Sequence, residues 1–223
     1  MRDCSNAVLA GEHVELFAQR ALHWPAQRLL AIADLHLGKD DVFRSAGIAL
    51  PAGGTEADLT RLSGLLERTG ATRLRVLGDF IHGTAGVARW RHAWRAFRAR
   101  HDEVKVELVL GNHDRGLDVD GLDIDVVGDA LVEGPFHFAH DHAIDQAGLC
   151  ISGHVHPVVR LAMLGASFPV FHLQQGGLVL PAFSAMTGGC KVAQRDAWMA
   201  CVHGHLMASP ALAAAFPSLH HEM

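Results

Sequence analysis

Apolar positions in this chain come in short runs, and most of the runs stop abruptly at polar residues. Residues 13–17, 21–24 and 28–33 read as three short strands, with Pro25 separating the second from the third. Residues 74–77, 104–110, 136–139 and 149–152 are further bounded apolar runs, of the length expected for buried strands. Between them the period changes. Leu59, Leu62, Leu65 and Leu66 recur at helical spacing after Thr55, which reads as an N-cap with Asp58 in capping-box position, and Gly70 closes that helix. Trp90, Trp94, Phe97 and His101 form one stripe of a second helix, about residues 87–101. Residues 38–54 follow neither period and read as a long irregular loop, of a length that goes with function or mobility. Residues 168–174 and 178–180 read as paired strands, and the Ala-rich tail from about residue 208 is expected to be poorly ordered.

The polar residues that stop these runs are of one kind. The run ending at Ala33 leads into Asp34-Leu35-His36, and the run ending at Leu77 into Gly78-Asp79. The run ending at Leu110 leads into Gly111-Asn112-His113-Asp114. The last two lead into His140 and into Gly153-His154-Val155-His156. An amide, imidazoles and carboxylates at strand ends suit a site better than a core, and in sheets flanked by helices sites gather at the carboxyl ends of strands. The five ends are therefore expected to converge. Of His137, His140 and His142, His140 is the favoured donor because it ends the run.

Composition narrows the picture. The 223 residues are read as one domain, 1–223, large enough for a substantial core, and 49% hydrophobic residues against 19% charged is globular. No apolar run approaches a membrane span and the first residues lack a signal-peptide core, so a cytoplasmic protein is expected. Four scattered cysteines give no disulfide framework. A net charge of −5 argues against a general polyanion binder but not against a local basic strip. Such a strip is offered by Arg91, Arg95 and Arg98 on one flank of the second helix, which serve either as cover for an amphipathic surface helix or as a phosphate track. The five Asp residues between 116 and 130 lack EF-hand spacing and read as a solvated loop.

Taken in order, Asp34-x-His36, Gly78-Asp79, Gly111-Asn112-His113-Asp114, His140 and Gly153-His154-x-His156 resemble the calcineurin-like metallophosphoesterase superfamily. The resemblance implies an α/β fold, a two-sheet β-sandwich flanked by helices. It places Asp34, His36, Asp79 and His156 on one metal ion, and Asp79, Asn112, His140 and His154 on a second, with Asp79 as the bridge. A mixed imidazole and oxygen shell suits two divalent transition metals, Mn first, with Fe, Zn or Co as alternatives. Such a pair clamps a phosphoryl group and activates a water for in-line attack. His113 is implied to face the substrate phosphate or leaving oxygen rather than a metal, and Asp114 is placed to orient its imidazole. His82 stands where the superfamily varies, and serves either as a contact to a ligand residue or as packing.

Further residues narrow the substrate. Asp34-Leu35-His36-Leu37-Gly38-Lys39 runs into Phe43-Arg44, Gly47-Ile48 and Pro51. Later come Gly153-His154-Val155-His156-Pro157, Leu178-Val179-Leu180-Pro181-Ala182-Phe183 and Thr187-Gly188-Gly189. Over residues 10–205 this is similar to the bacterial ligase-associated DNA damage response endonuclease branch of the superfamily. That branch implies a metal-dependent phosphodiesterase cutting single-stranded DNA in repair, in association with a DNA ligase, a helicase and a second nuclease. A homodimer would be unsurprising. Lys39, Arg44 and Arg115 then stand as phosphate-binding candidates against solvated loop charges. The competing reading is a small-molecule or nucleotide phosphodiesterase or pyrophosphatase of the same superfamily.

Overall fold

A computed structural model describes residues 2–49, 53–83, 87–142 and 148–215. The chain builds two sheets. The first runs β1 (Cys4–Leu9), β2 (Glu12–Phe17), β3 (Ala21–Trp24), β4 (Leu29–Ala33), β5 (Arg73–Leu77), β6 (Lys105–Val109) and β7 (Asp125–Gly128), paired in sequence order. β1 to β4 are antiparallel and β4 to β7 parallel. The parallel crossovers carry helices α1 (Lys39–Ser45) and α2 (Gly54–Thr69) between β4 and β5, and α3 (Val87–Arg100) between β5 and β6.

The second sheet is mixed. It contains β8 (Ala130–Glu133), β9 (Phe136–Ala139), β10 (Leu149–Ser152), β11 (Pro157–Leu161), β12 (Ala166–Gln174), β13 (Gly177–Val179) and β14 (Cys190–Lys191). β15 (Ala197–Val202) joins at β12, and β16 (His205–Ala208) pairs with β15. A short helix, α4 (Pro210–Ala215), follows.

Strand alternation explains the layers. In β4, Leu30 and Ile32 pack with Leu62 and Leu66 of α2 and Trp90 and Trp94 of α3. Leu29, Ala31 and Ala33 face the other way, onto Phe136, Phe138, Ile151 and Phe171 of the second sheet. Both faces of β4 are buried, which is why it reads as an unbroken apolar run rather than an alternating one. No helix among the described residues is long and apolar enough to cross a membrane.

At the ends of the sandwich remote from the carboxyl ends of β4 and β5, the two sheets are joined by charge. Arg75 is fully buried and pairs with Glu107 of β6 and Glu133 of β8, each at 2.6 Å, and its guanidinium lies over Phe138. Arg73 pairs with both acids as well.

Four local expectations are corrected. The stretch 38–54 contains α1, invisible to periodicity because its two short turns are held by Arg44 with Asp40 and Asp41 rather than by an apolar stripe. Thr55 and Asp58 do not cap α2. The helix starts at Gly54, the Thr55 hydroxyl accepts the Gly38 amide at 3.1 Å, and Asp58 accepts the Ala185 amide and pairs with Arg61. The acidic loop is not merely solvated, since Asp125–Gly128 form β7 and Asp118 and Asp123 hold α3. The tail forms α4 and buries Leu212, while residues 216–223 lie outside the described ones.

Candidate metal centre

Asp34 and His36 follow β4, Asp79 follows β5, Asn112 and His113 follow β6, His140 follows β9, and His154 and His156 follow β10. The packing of the two sheets brings these ends together. Ligand atoms of Asp34, His36, Asp79 and His156 lie within 4.8 Å of one another, and so do those of Asp79, His140 and His154. Asp79 belongs to both groups, and Asn112 Oδ1 lies 3.1 Å from His140 Nε2. Asp34 also links the sheets, its carboxylate accepting the His154 amide at 3.1 Å.

The backbone there is unusual. Asp34, His36, Asp79, His154 and His156 all have positive φ, between 47° and 69°. Left-handed backbone costs a non-glycine residue energy and tends to persist where function holds it. Close approach explains the glycines beside them. A Cβ on Gly111 would lie 2.3 Å from the Asp79 nitrogen, and one on Gly153 2.6 Å from Asp34 Oδ2.

The donor set fits cations. His140 Nδ1 lies 3.1 Å from the Leu77 carbonyl, which can only accept, so Nδ1 bears a proton and in the neutral ring Nε2 carries the lone pair. That lone pair faces His154 Nδ1 at 2.9 Å, Asn112 Oδ1 at 3.1 Å and Asp79 Oδ1 at 3.5 Å. His36 Nε2 meets His156 Nε2 at 3.4 Å and Asp79 Oδ2 at 4.0 Å. Burial, aided by Lys39 and the neighbouring imidazoles, pushes His36 down to about 2, so its ring is neutral and available as a ligand. Lone pairs and carboxylate oxygens directed at one another, around the buried Asp34 and Asp79, call for positive charge between them.

Around this cluster the candidates divide. His113 is exposed. Its amide donates to Asp79 Oδ1 at 3.0 Å and its Nε2 stands 3.9 Å from Asp79 Oδ2. Asp114 does not orient the His113 ring: its buried carboxylate accepts the Gly111 amide at 2.9 Å and the Ile81 amide at 3.3 Å, and so shapes the loop. His82 touches the cluster, with its Nδ1 3.3 Å from His36 Nδ1 and its ring 4.8 Å from that of His113. Burial pushes His82 down to about 4.

Lys39 is buried beside the site and donates to the Thr187 hydroxyl at 3.1 Å. Burial lowers its pKa, opposed by Asp34 and Asp79. The sequence offered the Thr187-Gly188-Gly189 motif without revealing this contact. Arg44 is engaged by Asp40 and Asp41, and Arg115 is exposed. The three-arginine strip does not exist as a free surface. Arg91 donates to the Asp118 and Asp120 carbonyls, and Arg98 pairs with Asp123 at 2.7 Å and donates to the His101 carbonyl, leaving only Arg95 of the three unengaged. His137, one of the alternatives to His140, is buried away from the donor groups, and His142 reaches the Gln175 carbonyl.

A family profile described as calcineurin-like phosphoesterase matches residues 27–154, the span from just before β4 to the first histidine of the Gly153 motif. The chain belongs to the calcineurin-like phosphoesterase family. It is accordingly a metal-dependent phosphoesterase, and the family uses divalent metals. Among solved structures, the chain is similar to nuclease MPE of Pseudomonas putida, at 32% identity over 92% of this chain and 99% of that one, with a TM-score of 0.79. Lower likeness extends to the phosphoesterase Yfce of E. coli (17% identity, 82% of this chain and 98% of that one, TM-score 0.47). It extends also to AQ665 of Aquifex aeolicus, a protein of unknown function (21% identity, 57% of this chain and 78% of that one, TM-score 0.41). No curated protein matches the chain.

Proposed function

We propose that this calcineurin-like phosphoesterase is a DNA endonuclease that cuts single-stranded DNA in repair, with two divalent ions, Mn foremost. The observation that carries the reading is the pair of donor groups sharing Asp79. Asp34, His36, Asp79 and His156 would hold one ion, and Asp79, Asn112, His140 and His154 the other; ions bound there would activate a water and neutralise charge on phosphorus. This chain's own residues orient the donors, through the Leu77 carbonyl on His140 and the His82 ring on His36. They also present His113 at the open rim to stabilise or protonate the leaving oxygen. Exposed Asn112, His113 and Val155 leave room for a long substrate, and the likeness to a nuclease over nearly the whole chain favours nucleic acid. A DNA ligase, a helicase and a second nuclease are the functional companions this reading carries, in the cytoplasm.

The test uses protein stripped of metal and reloaded with Mn, Mg, Zn or nothing. Circular single-stranded DNA, linear duplex and a chromogenic phosphodiester are the substrates. Cutting of the circle, strongest with Mn, is expected. Hydrolysis of the chromogenic diester alone would remove DNA as the substrate.

A further inference from the structure

Most of the protein's cations are occupied. Of 19 Lys and Arg residues, 14 engage acids, carbonyls or other groups. Among the described residues five have no side-chain partner: Arg95, Arg115, Arg160, Lys191 and Arg195, all exposed. Three of the five share one piece of the fold. Arg160 lies on β11, Lys191 on β14, and Arg195 in the turn that follows. From residue 148 to residue 215 they face a single acid, Asp196, in a chain whose net charge is −5. Asp196 is itself turned inward, onto the Ala193 amide and His172.

This ribbon grows directly out of the donor loop. The Cys190 amide donates to the Val155 and His156 carbonyls, and a Cβ on Gly189 would lie 1.9 Å from the His156 oxygen. β14 then runs parallel to β11, with Lys191 opposite Val158. Val159 and Leu161 point into a small core with Phe168, Val170 and Trp198, so Val158, Arg160 and Lys191 share the outer face. Gln194 donates to the Arg160 carbonyl and fixes the turn bearing Arg195 against β11. From His156 to Arg160 the strand spans about 13 Å at roughly 3.3 Å per residue. A small diester at the centre cannot reach that far, whereas a polynucleotide can.

We propose that the outer face of β11 and β14 is the track along which a single strand of DNA leaves the metal centre, its phosphates held by Arg160, Lys191 and Arg195. This rests on the DNA reading above and adds a surface to it. Unpaired cations beside a site, in an otherwise acidic protein, give a local attraction for phosphate without general affinity for polyanions. Arg115, next to the central motif on the first sheet, is exposed as well.

The test is the triple variant R160E/K191E/R195E, reloaded with Mn and assayed on a 30-nucleotide single strand and on the chromogenic diester over a range of salt. R28E/R100E/K105E, which moves charge equally at exposed positions on other elements, is the comparison. Expected for the ribbon variant is a fall of roughly tenfold or more in kcat/KM on the oligonucleotide near 100 mM salt. The salt dependence should be shallower by about 2 in log–log slope, for three contacts at ~0.7 each on single strands. The diester rate should stay unchanged, which also reports an intact fold. Wild-type cleavage of the oligonucleotide with no loss in the ribbon variant overturns the track. So does an equal loss in the comparison variant, which would reduce the effect to net charge. If wild-type protein hydrolyses the diester but cuts no DNA, the DNA reading itself fails and the track falls with it.

Discussion

Gly111→Ala tests the centre with one methyl group. Gly111 has φ −100° and ψ 177°, an extended backbone open to alanine, so no conformational penalty enters. The cost is steric alone. The new Cβ would stand 2.3 Å from the Asp79 nitrogen, 2.4 Å from Asp79 Oδ1 and 3.0 Å from the Gly78 carbonyl carbon, where ordinary contact begins at 3.4 Å. The crowded atoms are mostly backbone, so no side chain can swing aside and the β5 and β6 ends must part by about 1 Å. Overpacking of this kind costs about 1–3 kcal/mol of stability. A misplacement of about 1 Å at a reacting centre costs on the order of a hundredfold in rate. Asp79 is the carboxylate shared by both donor groups, so metal uptake and turnover should fall together. Thermal melting, Mn binding by calorimetry and hydrolysis of the chromogenic diester measure the three effects. Gly64→Ala, in α2 with nothing within 4 Å of its Cβ, is the control and should gain about 0.5–1 kcal/mol with unchanged turnover. A Gly111→Ala protein that loads Mn and turns over like the parent would show that Asp79 does not hold the position on which both groups depend.

Four further outcomes are expected. Glu107→Ala leaves the fully buried Arg75 with only Glu133 and should destabilise the fold by about 3–5 kcal/mol in chemical denaturation, whereas an effect below 1 kcal/mol would show that Arg75 does not depend on Glu107 for its burial. The Arg73 hydrogen bond, with Arg75, holds Glu133 down to about 2 from an ordinary 4.5, so its stabilisation is complete above pH 4.5 and drains as pH falls toward 2; Glu133→Gln should flatten the melting-temperature profile across that window, and an unchanged slope would discount the pairing. His113→Ala should keep its metal and its melting temperature while losing roughly a hundredfold or more in rate. Asp114→Ala should lower melting temperature and rate together, because its carboxylate carries two backbone amides, and a pure rate effect would return it to a role on the His113 ring.

Much of this arrangement was legible along the chain because buried parallel strands are written as apolar runs. Where such a run ends in Asp, Asn or His, the departure from core chemistry is visible without coordinates. The donor residues could therefore be named from the five run ends, and the family followed from their order. What could not be read was partnership. Arg91 and Arg98 carry the same charge in the sequence as Arg160 and Arg195, yet acids and carbonyls of a loop some 25 residues away occupy the first pair. Thr55 and Asp58 satisfy a capping pattern, but Gly38 and Ala185 claim them. α1 was missed because its helix rests on local charge pairs and not on periodicity. β7 escapes the pattern because a four-residue edge strand, Asp125–Gly128, set among aspartates carries too little alternation.

The division of the donors between the sheets sets a condition on when the enzyme exists. Asp34, His36, Asp79 and Asn112 come from the first sheet, and His140, His154 and His156 from the second. A nascent chain still on the ribosome, or a proteolytic fragment ending before residue 140, has only Asp34, His36, Asp79 and Asn112 of the seven donors. A half-made or damaged copy is then expected to lack phosphoesterase activity. The same seam lets an ion that binds only the closed sandwich act as its latch, worth about 2.7 kcal/mol at a hundredfold excess over Kd.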